Sequence, residues 1–196
     1  MKIQSKLPDT GITIFTLMTM LAKEHQAINL SQGFPDFDAD PKLIELVNNY
    51  MRLGHNQYAP MQGVPILRQR IAEKIEYLYQ AVYNPETDIT ITSGATEALF
   101  CAISAVINPD DEVIIFEPAF DSYLPAVRLN GGIPVFVKLQ YPDYAIDWDE
   151  VEKKISPKTK AIILNSPHNP TGTVITREDI KQLQQIMQKH DILIIS

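Results

Sequence analysis

Residues 112–137 read "EVIIFEPAFDSYLPAVRLNGGIPVFV", and the order of patterns within them decides the fold. "EVIIF" (112–116) is an apolar, β-branched run that reads as a strand. "SYLPAVRLNG" (122–131) reads as a short helix that stops at glycine, and Pro125 must lie in its first turn, where no N–H is needed. "IPVFV" (133–137) is a second strand. The alternation continues on both sides. Upstream, "DITIT" (88–92) is β-rich and "TEALFCAISAV" (96–106) is helical. Downstream, "DWDEVEKKI" (147–155) opens on a cap-like Asp147 with Glu150 three residues on. "KAIILN" (160–165) is a strand. "TREDIKQLQQIMQKH" (176–190) starts at the cap residue Thr176, with Ile180, Leu183 and Met187 at helical spacing. "ILII" (192–195) is another strand. Strands alternating with helices in this way imply an α/β fold with a mainly parallel, doubly wound sheet.

The first part of the chain reads differently. "TIFTLMTMLAKEH" (13–25) forms an amphipathic helix, and "NLSQGFPDFDADP" (29–41) is turn-rich and extended. "PILRQRIAEKIEYLYQ" (65–80) is a strong helix, with Leu67, Ile71, Ile75 and Leu78 on one face. These patterns place a boundary near residue 40, with an arm over 1–40 and the sheet domain over 41–196. The last residue, Ser196, follows directly on an apolar strand, the pattern expected of a cut sequence.

The 196 residues are 45% hydrophobic and 21% charged, enough for one domain with a real core and against disorder. The net charge is −7 and no dense Lys/Arg run occurs, which argues against nucleic acid and anionic membranes as partners. No stretch approaches a membrane span, and the N-terminus lacks the apolar core of a signal peptide. The single cysteine, Cys101, rules out an internal disulfide; within its apolar helical run it reads as a buried, inert thiol, and this usage fits a reducing cytoplasm. His25, His55 and His190 are scattered, without metal-ligand spacing.

In open α/β sheets, ligands bind beyond the carboxyl ends of the strands. Three stretches fall there. In "TSGATEA" (92–98), the small residues Ser93, Gly94 and Ala95 leave the backbone accessible, and Thr96 stands at a helix start, where N–H groups and the helix dipole suit a phosphate. In "EPAFDSY" (117–123), Phe120 or Tyr123 can lie across the strand ends and stack on a flat ligand. In "NSPHNPTG" (165–172), Pro167 and Pro170 hold Asn165 and Asn169, uncharged amides able to donate to a phenolate oxygen or a carboxylate. Each stretch alone is as readily a turn or core element. Together they form a phosphate cradle, an aromatic plate and a polar clamp, which a flat phosphorylated aromatic such as pyridoxal phosphate would satisfy.

Five stretches, "NLSQGFPDF", "NQYAPMQGVPILRQRIA", "ITSGATEALFCAI", "DEVIIFEPAFDSY" and "AIILNSPHNPTGTV", resemble the class I aminotransferases in order and spacing, and within them the branch of the methionine and kynurenine–glutamine aminotransferases. The resemblance implies the three-layer, mainly parallel sheet of the large domain of aspartate-aminotransferase-like enzymes, incomplete and preceded by an N-terminal arm or small-domain segment. It implies pyridoxal 5'-phosphate as cofactor, amino acid and 2-oxo acid substrates, and a homodimer. By the same resemblance Ala95 and Thr96, beside Gly94, hold the cofactor phosphate. Phe120 stacks on the pyridine ring, and Asn169 bonds its phenolic oxygen and lies near the substrate carboxylate. Gly33 touches that carboxylate through its backbone, and Tyr58 reaches the partner's phosphate. Phe15 shapes the substrate side-chain site. His168 departs from the branch's commoner asparagine and is read as a spectator.

Three groups that such chemistry needs lie outside the motifs present: a Schiff-base lysine, an acid paired with the pyridine nitrogen, and an arginine fork for the substrate carboxylate. None of the lysines stands in the family's Ser-x-x-Lys context; Lys153, Lys154, Lys158 and Lys160 read as a solvated cluster at a helix end. No catalytic residue is therefore assigned. The expected function is that of the N-terminal portion of an aminotransferase, inactive by itself. A carbon–sulfur β-lyase of the same fold and a non-catalytic binding module are the alternatives.

Overall fold

The computed structural model describes residues 4–33 and 35–196. By internal contacts they form two compact units, Ile12–Thr92 and Ser93–Ser196, the latter with the described residues up to Gly11.

The first unit is helical. Helix α1 (Ile14–Glu24) is capped by Thr13, whose hydroxyl accepts from the Thr16 N–H at 3.2 Å. Helix α2 (Pro41–Arg52) begins with Asp40, which accepts from the Lys42 N–H at 2.8 Å, and has Pro41 at its first position. The sequence does not announce α2, because Asp-Pro marks a turn as readily as a helix start. Helix α3 (Pro65–Tyr79) ends at Gln80 in the left-handed region, φ 56°. It buries Arg68, whose Nη1 donates to the Pro85 carbonyl at 2.5 Å.

Residues 88–92, expected as a strand, are not one. Their β-rich composition has no neighbouring strand to pair with among the described residues, and the Ile91 N–H donates instead to the Gln62 carbonyl at 3.0 Å. The Ile91 side chain sits against Gly63, at φ +98°, where any Cβ would collide with it.

The second unit opens with α4 (Gly94–Val106) and then alternates: β1 (Glu112–Glu117), α5 (Tyr123–Leu129), β2 (Ile133–Lys138), α6 (Trp148–Lys154), β3 (Thr159–Ile163), α7 (Arg177–Lys189) and β4 (Leu193–Ile195). All strand pairs are parallel, in the order β2-β1-β3-β4. Ile114 lies opposite Val135 of β2 and Ile162 of β3, and Ile162 opposite Ile194 of β4. The α/β parallel sheet is thus present as expected.

Strand period explains the layers. Successive residues of a strand face opposite sides. Ile114 and Phe116 of β1 join Ile162, Val151 of α6 and Leu183 of α7 in one buried cluster. Val113 and Ile115 join Ile163, Ile103 of α4 and Val127 of α5 in the other. The sheet is sandwiched between two helical layers, which is why β1 reads as a continuous apolar run.

The caps fell where sequence placed them. Asp147 accepts from the Glu150 N–H at 2.9 Å. Thr176 and Asp179 form a full capping box at the start of α7. Cys101 is a correction: it is exposed. Ile103 takes the inward position on α4, and residues two apart on a helix do not share a face.

Candidate active site

The strand order creates the site. The connection from β1 through α5 places β2 on one side of β1, and that from β2 through α6 crosses to place β3 on the other. The loops after β1 and β3 therefore diverge to opposite faces and leave a crevice between the carboxyl ends of these neighbouring strands. Phe120 stands on the first of these loops and Asn165–Asn169 on the second.

A cavity of about 480 Å³ occupies the crevice. Ala95 from the first turn of α4, Phe120 and Tyr123 from the loop and helix after β1, and Asn165, Pro167 and Asn169 from the loop after β3 all line it. Gly94 and Thr96 flank Ala95 in the same helical turn. Gly94 adopts φ +83°, with no atom within 4 Å of where a Cβ would stand, so glycine serves the turn rather than a close approach. The positive end of the α4 dipole lies beside the cavity. Glu97 turns its carboxylate back onto the Ser93 N–H, which consumes that donor.

The loop after β3 is held by its own polar groups. The Asn169 N–H donates to Asn165 Oδ1 at 2.7 Å. The Ile175 N–H donates to Ser166 Oγ at 3.0 Å, and the His168 N–H to the Thr173 carbonyl at 2.8 Å. The peptides before Pro167 and Pro170 are both cis. The Asn169 side-chain amide makes no hydrogen bond among the described residues and is exposed at the cavity. Phe120 and Tyr123 meet edge to face, ring centroids 5.7 Å apart, so one aromatic ring braces the other. Burial pushes the Tyr123 phenol above its ordinary value of 10.0 and keeps it protonated.

Sequence reasoning missed the third wall. Ala98, Leu99 and Ala102 of α4 line the cavity beside Ala95. Their spacing of three and four residues was the available signal, and the alanines there leave room for a ring. Among the described residues, no lysine lines the cavity. The described residues can bind and orient a flat molecule with an anionic end, but supply no amine nucleophile for it.

The remaining expected site residues belong to the helical unit. Tyr58 is fully exposed at 102%, Gly33 is exposed, and Phe15 is half-buried in the first turn of α1. His168 faces a different cavity from the one lined by Asn169. No helix among the described residues is long and apolar enough to cross a membrane.

The profile of the family described as aminotransferase class I and II matches residues 25–196. Methionine aminotransferase of Escherichia coli (strain K12) is 51% identical over 193 residues, which is 98% of this chain and 50% of that protein. A probable N-succinyldiaminopimelate aminotransferase of Mycobacterium tuberculosis is 37% identical over 98% of this chain and 49% of its own length. Among solved structures, Escherichia coli YbdL, reported with a methionine aminotransferase function, superposes with a TM-score of 0.96 at 50% identity, over 100% of this chain and 51% of its own. The chain spans about half the length of the curated relatives it matches.

Proposed function

From the premise that this chain belongs to the aminotransferase class I and II family, we propose that the whole protein moves an amino group between an amino acid and a 2-oxo acid with pyridoxal 5'-phosphate. The observation that carries this reading is the crevice between β1 and β3, where Ala95, Phe120 and Asn169 converge on one cavity. The residues fit the group. The first turn of α4, with Gly94, Ala95 and Thr96, takes the phosphate through backbone N–H groups. Phe120 takes the pyridine ring on its face. The Asn169 amide donates to the phenolic oxygen without adding charge. When bound, the cofactor supplies an electron sink for loss of the substrate's α-hydrogen as a proton.

The other roles are set by the same reading. Asn169 and the Gly33 backbone orient the substrate carboxylate, and Phe15 borders its side chain. Tyr58 reaches the phosphate of a second copy in a homodimer, a role supported by its complete exposure. The arm over 1–40 contributes to the substrate site alone, and the large-domain portion over 41–196 holds the cofactor and shares in the substrate site through Asn169. The amino donor is a sulfur-containing or aromatic amino acid, a choice supported by the 51% identity to a methionine aminotransferase. The site sits in a cytoplasmic protein. The Schiff-base lysine belongs to no motif of these 196 residues, so this length of chain holds the cofactor without turning over substrate.

The test is pyridoxal phosphate titrated into the 196-residue chain and monitored by absorbance, followed by borohydride reduction and peptide mapping. Binding should be reversible, and Phe120→Ala should weaken it about tenfold, the loss expected for roughly 1.4 kcal/mol of ring contact. Affinity unchanged in both Phe120→Ala and Asn169→Ala would remove the cavity from the reading. A single stoichiometric pyridoxyl-lysine with transaminase turnover would remove the claim that the lysine lies elsewhere.

A further inference from the structure

A second cavity, of about 200 Å³, borders the strand ends on the α6 and α7 side of the sheet. Phe116, Leu139, Tyr144 and Leu164 form much of its wall, and three of these, Phe116, Leu139 and Leu164, belong to the buried cluster of that face. Tyr144 sits at φ +53°, a region that residues other than glycine seldom occupy and that often accompanies binding sites. An apolar cavity of about 150 Å³ in another protein admits benzene, so this one suits a single ring bearing one small substituent.

A chain of hydrogen bonds sets the polarity at its edge. The Asp143 carbonyl can only accept, so the Thr173 hydroxyl donates to it, at 3.4 Å. Thr173 Oγ1 then accepts from the Thr171 hydroxyl, at 3.1 Å. With that proton committed, Thr171 Oγ1 can only accept from His168, at 2.9 Å. The hydrogen of a neutral His168 therefore sits on Nδ1, which leaves Nε2 as a lone-pair acceptor. Burial lowers the His168 pKa below its ordinary 6.5 and favours that neutral ring. Nothing donates to Nε2 among the described residues.

The neighbouring polar groups are already engaged or repel an acid. The Asp179 carboxylate accepts from the Thr176 N–H, the Thr176 hydroxyl and Trp148 Nε1. Asn165 Oδ1 holds the Asn169 N–H. Two carboxylates on the lining, Asp143 and Asp179, disfavour an anionic guest. We propose that this cavity is a binding site for a neutral, phenol-like molecule, with its ring among Phe116, Leu139 and Tyr144 and its hydroxyl donated to His168 Nε2. Leu164 and Asn165 line both cavities, so the site backs onto the loop that carries Asn169 without sharing its ligand. The inference is independent of the proposed reaction.

Phenol is the probe. Trp148 is the single tryptophan of the chain and packs edge-on against Phe116, ring centroids 6.3 Å apart. Its fluorescence, excited at wavelengths where phenol does not absorb, reports occupancy in the full chain. Phenol should give a saturable change with a dissociation constant of about 1 mM or below, within reach of a ligand of this size. His168→Leu should weaken phenol about fivefold, the worth of one hydrogen bond, and leave toluene within about twofold of its wild-type affinity. Ala145→Phe fills the cavity from an exposed lining residue, outside the core, and should block both compounds. A response that never saturates, phenol binding intact in Ala145→Phe, or phenol and toluene affected alike by His168→Leu would each overturn the proposal.

Discussion

In the sheet unit, Val113, Ile114 and Ile115 of β1 are entirely buried; in the helical unit, Leu43, Ile44 and Val47 of α2 are 56%, 48% and 51% exposed. The residue types are the same and the local patterns are equally regular. The difference lies in what surrounds them. A central parallel strand finds neighbours on both faces from helices of its own unit, α4 and α5 on one side and α6 and α7 on the other. An amphipathic helix such as α2 presents one apolar stripe, and its own unit covers little of that stripe. Regular secondary structure thus follows from local pattern, whereas stability follows from the partner layer.

Substitutions across the two units can break this contrast. The largest effect is expected for Ile114→Ala, which empties a fully enclosed position between β2 and β3 and should cost about 2–5 kcal/mol, read as a lower denaturant midpoint. A cost below about 1 kcal/mol would show that the sheet is not the unit's core. Next comes Asp179→Ala, which strips the capping box of α7 and leaves the Trp148 N–H unpaired. It should cost about 1–2 kcal/mol in the same measurement.

Acid sharpens the second test. Burial alone would raise the Asp179 carboxyl, but hydrogen bonds from Thr176 and Trp148 outweigh it and hold the carboxyl below its ordinary 3.8. A carboxyl depressed in the folded state stabilises above its unfolded value, and that contribution is lost as pH falls through the folded one. The stability gap between wild type and Asp179→Ala should therefore narrow below about pH 3.8; a gap that widens there would contradict the assignment. The smallest effect is expected for Leu43→Ala, within about 0.5 kcal/mol because the side chain is already half in water. A loss as large as that of Ile114→Ala would mean that α2 is covered in solution after all.

The same contrast explains what could be read in advance. The strands β1 and β3 were legible because burial on both faces writes itself as an unbroken apolar run. The caps at Asp147 and Thr176 were legible because a cap is a local hydrogen bond. Residues 88–92 were not, since a β-rich run becomes a strand only beside another strand. Cys101 was misplaced for a related reason: an apolar helix on the outer layer buries one stripe, and composition does not say which residue turns outward. In the site, Ala95, Phe120 and Asn169 were grouped by their place at the carboxyl ends of strands, yet that rule does not say which strands are neighbours. Their convergence depends on β3 lying beside β1, with β2 on the far side.

The alternation of elements, their caps and the polar chemistry of "NSPHNPTG" are written in the chain itself, because each depends on residues a few positions apart. That this loop has two faces follows from packing alone. The crossing of the chain from β2 to β3 sets one face of the loop, with Asn169, against α4 and Phe120. It sets the other, with His168, against an apolar cavity. Side chains one residue apart on an irregular loop diverge, and only packing against different layers assigns each its environment.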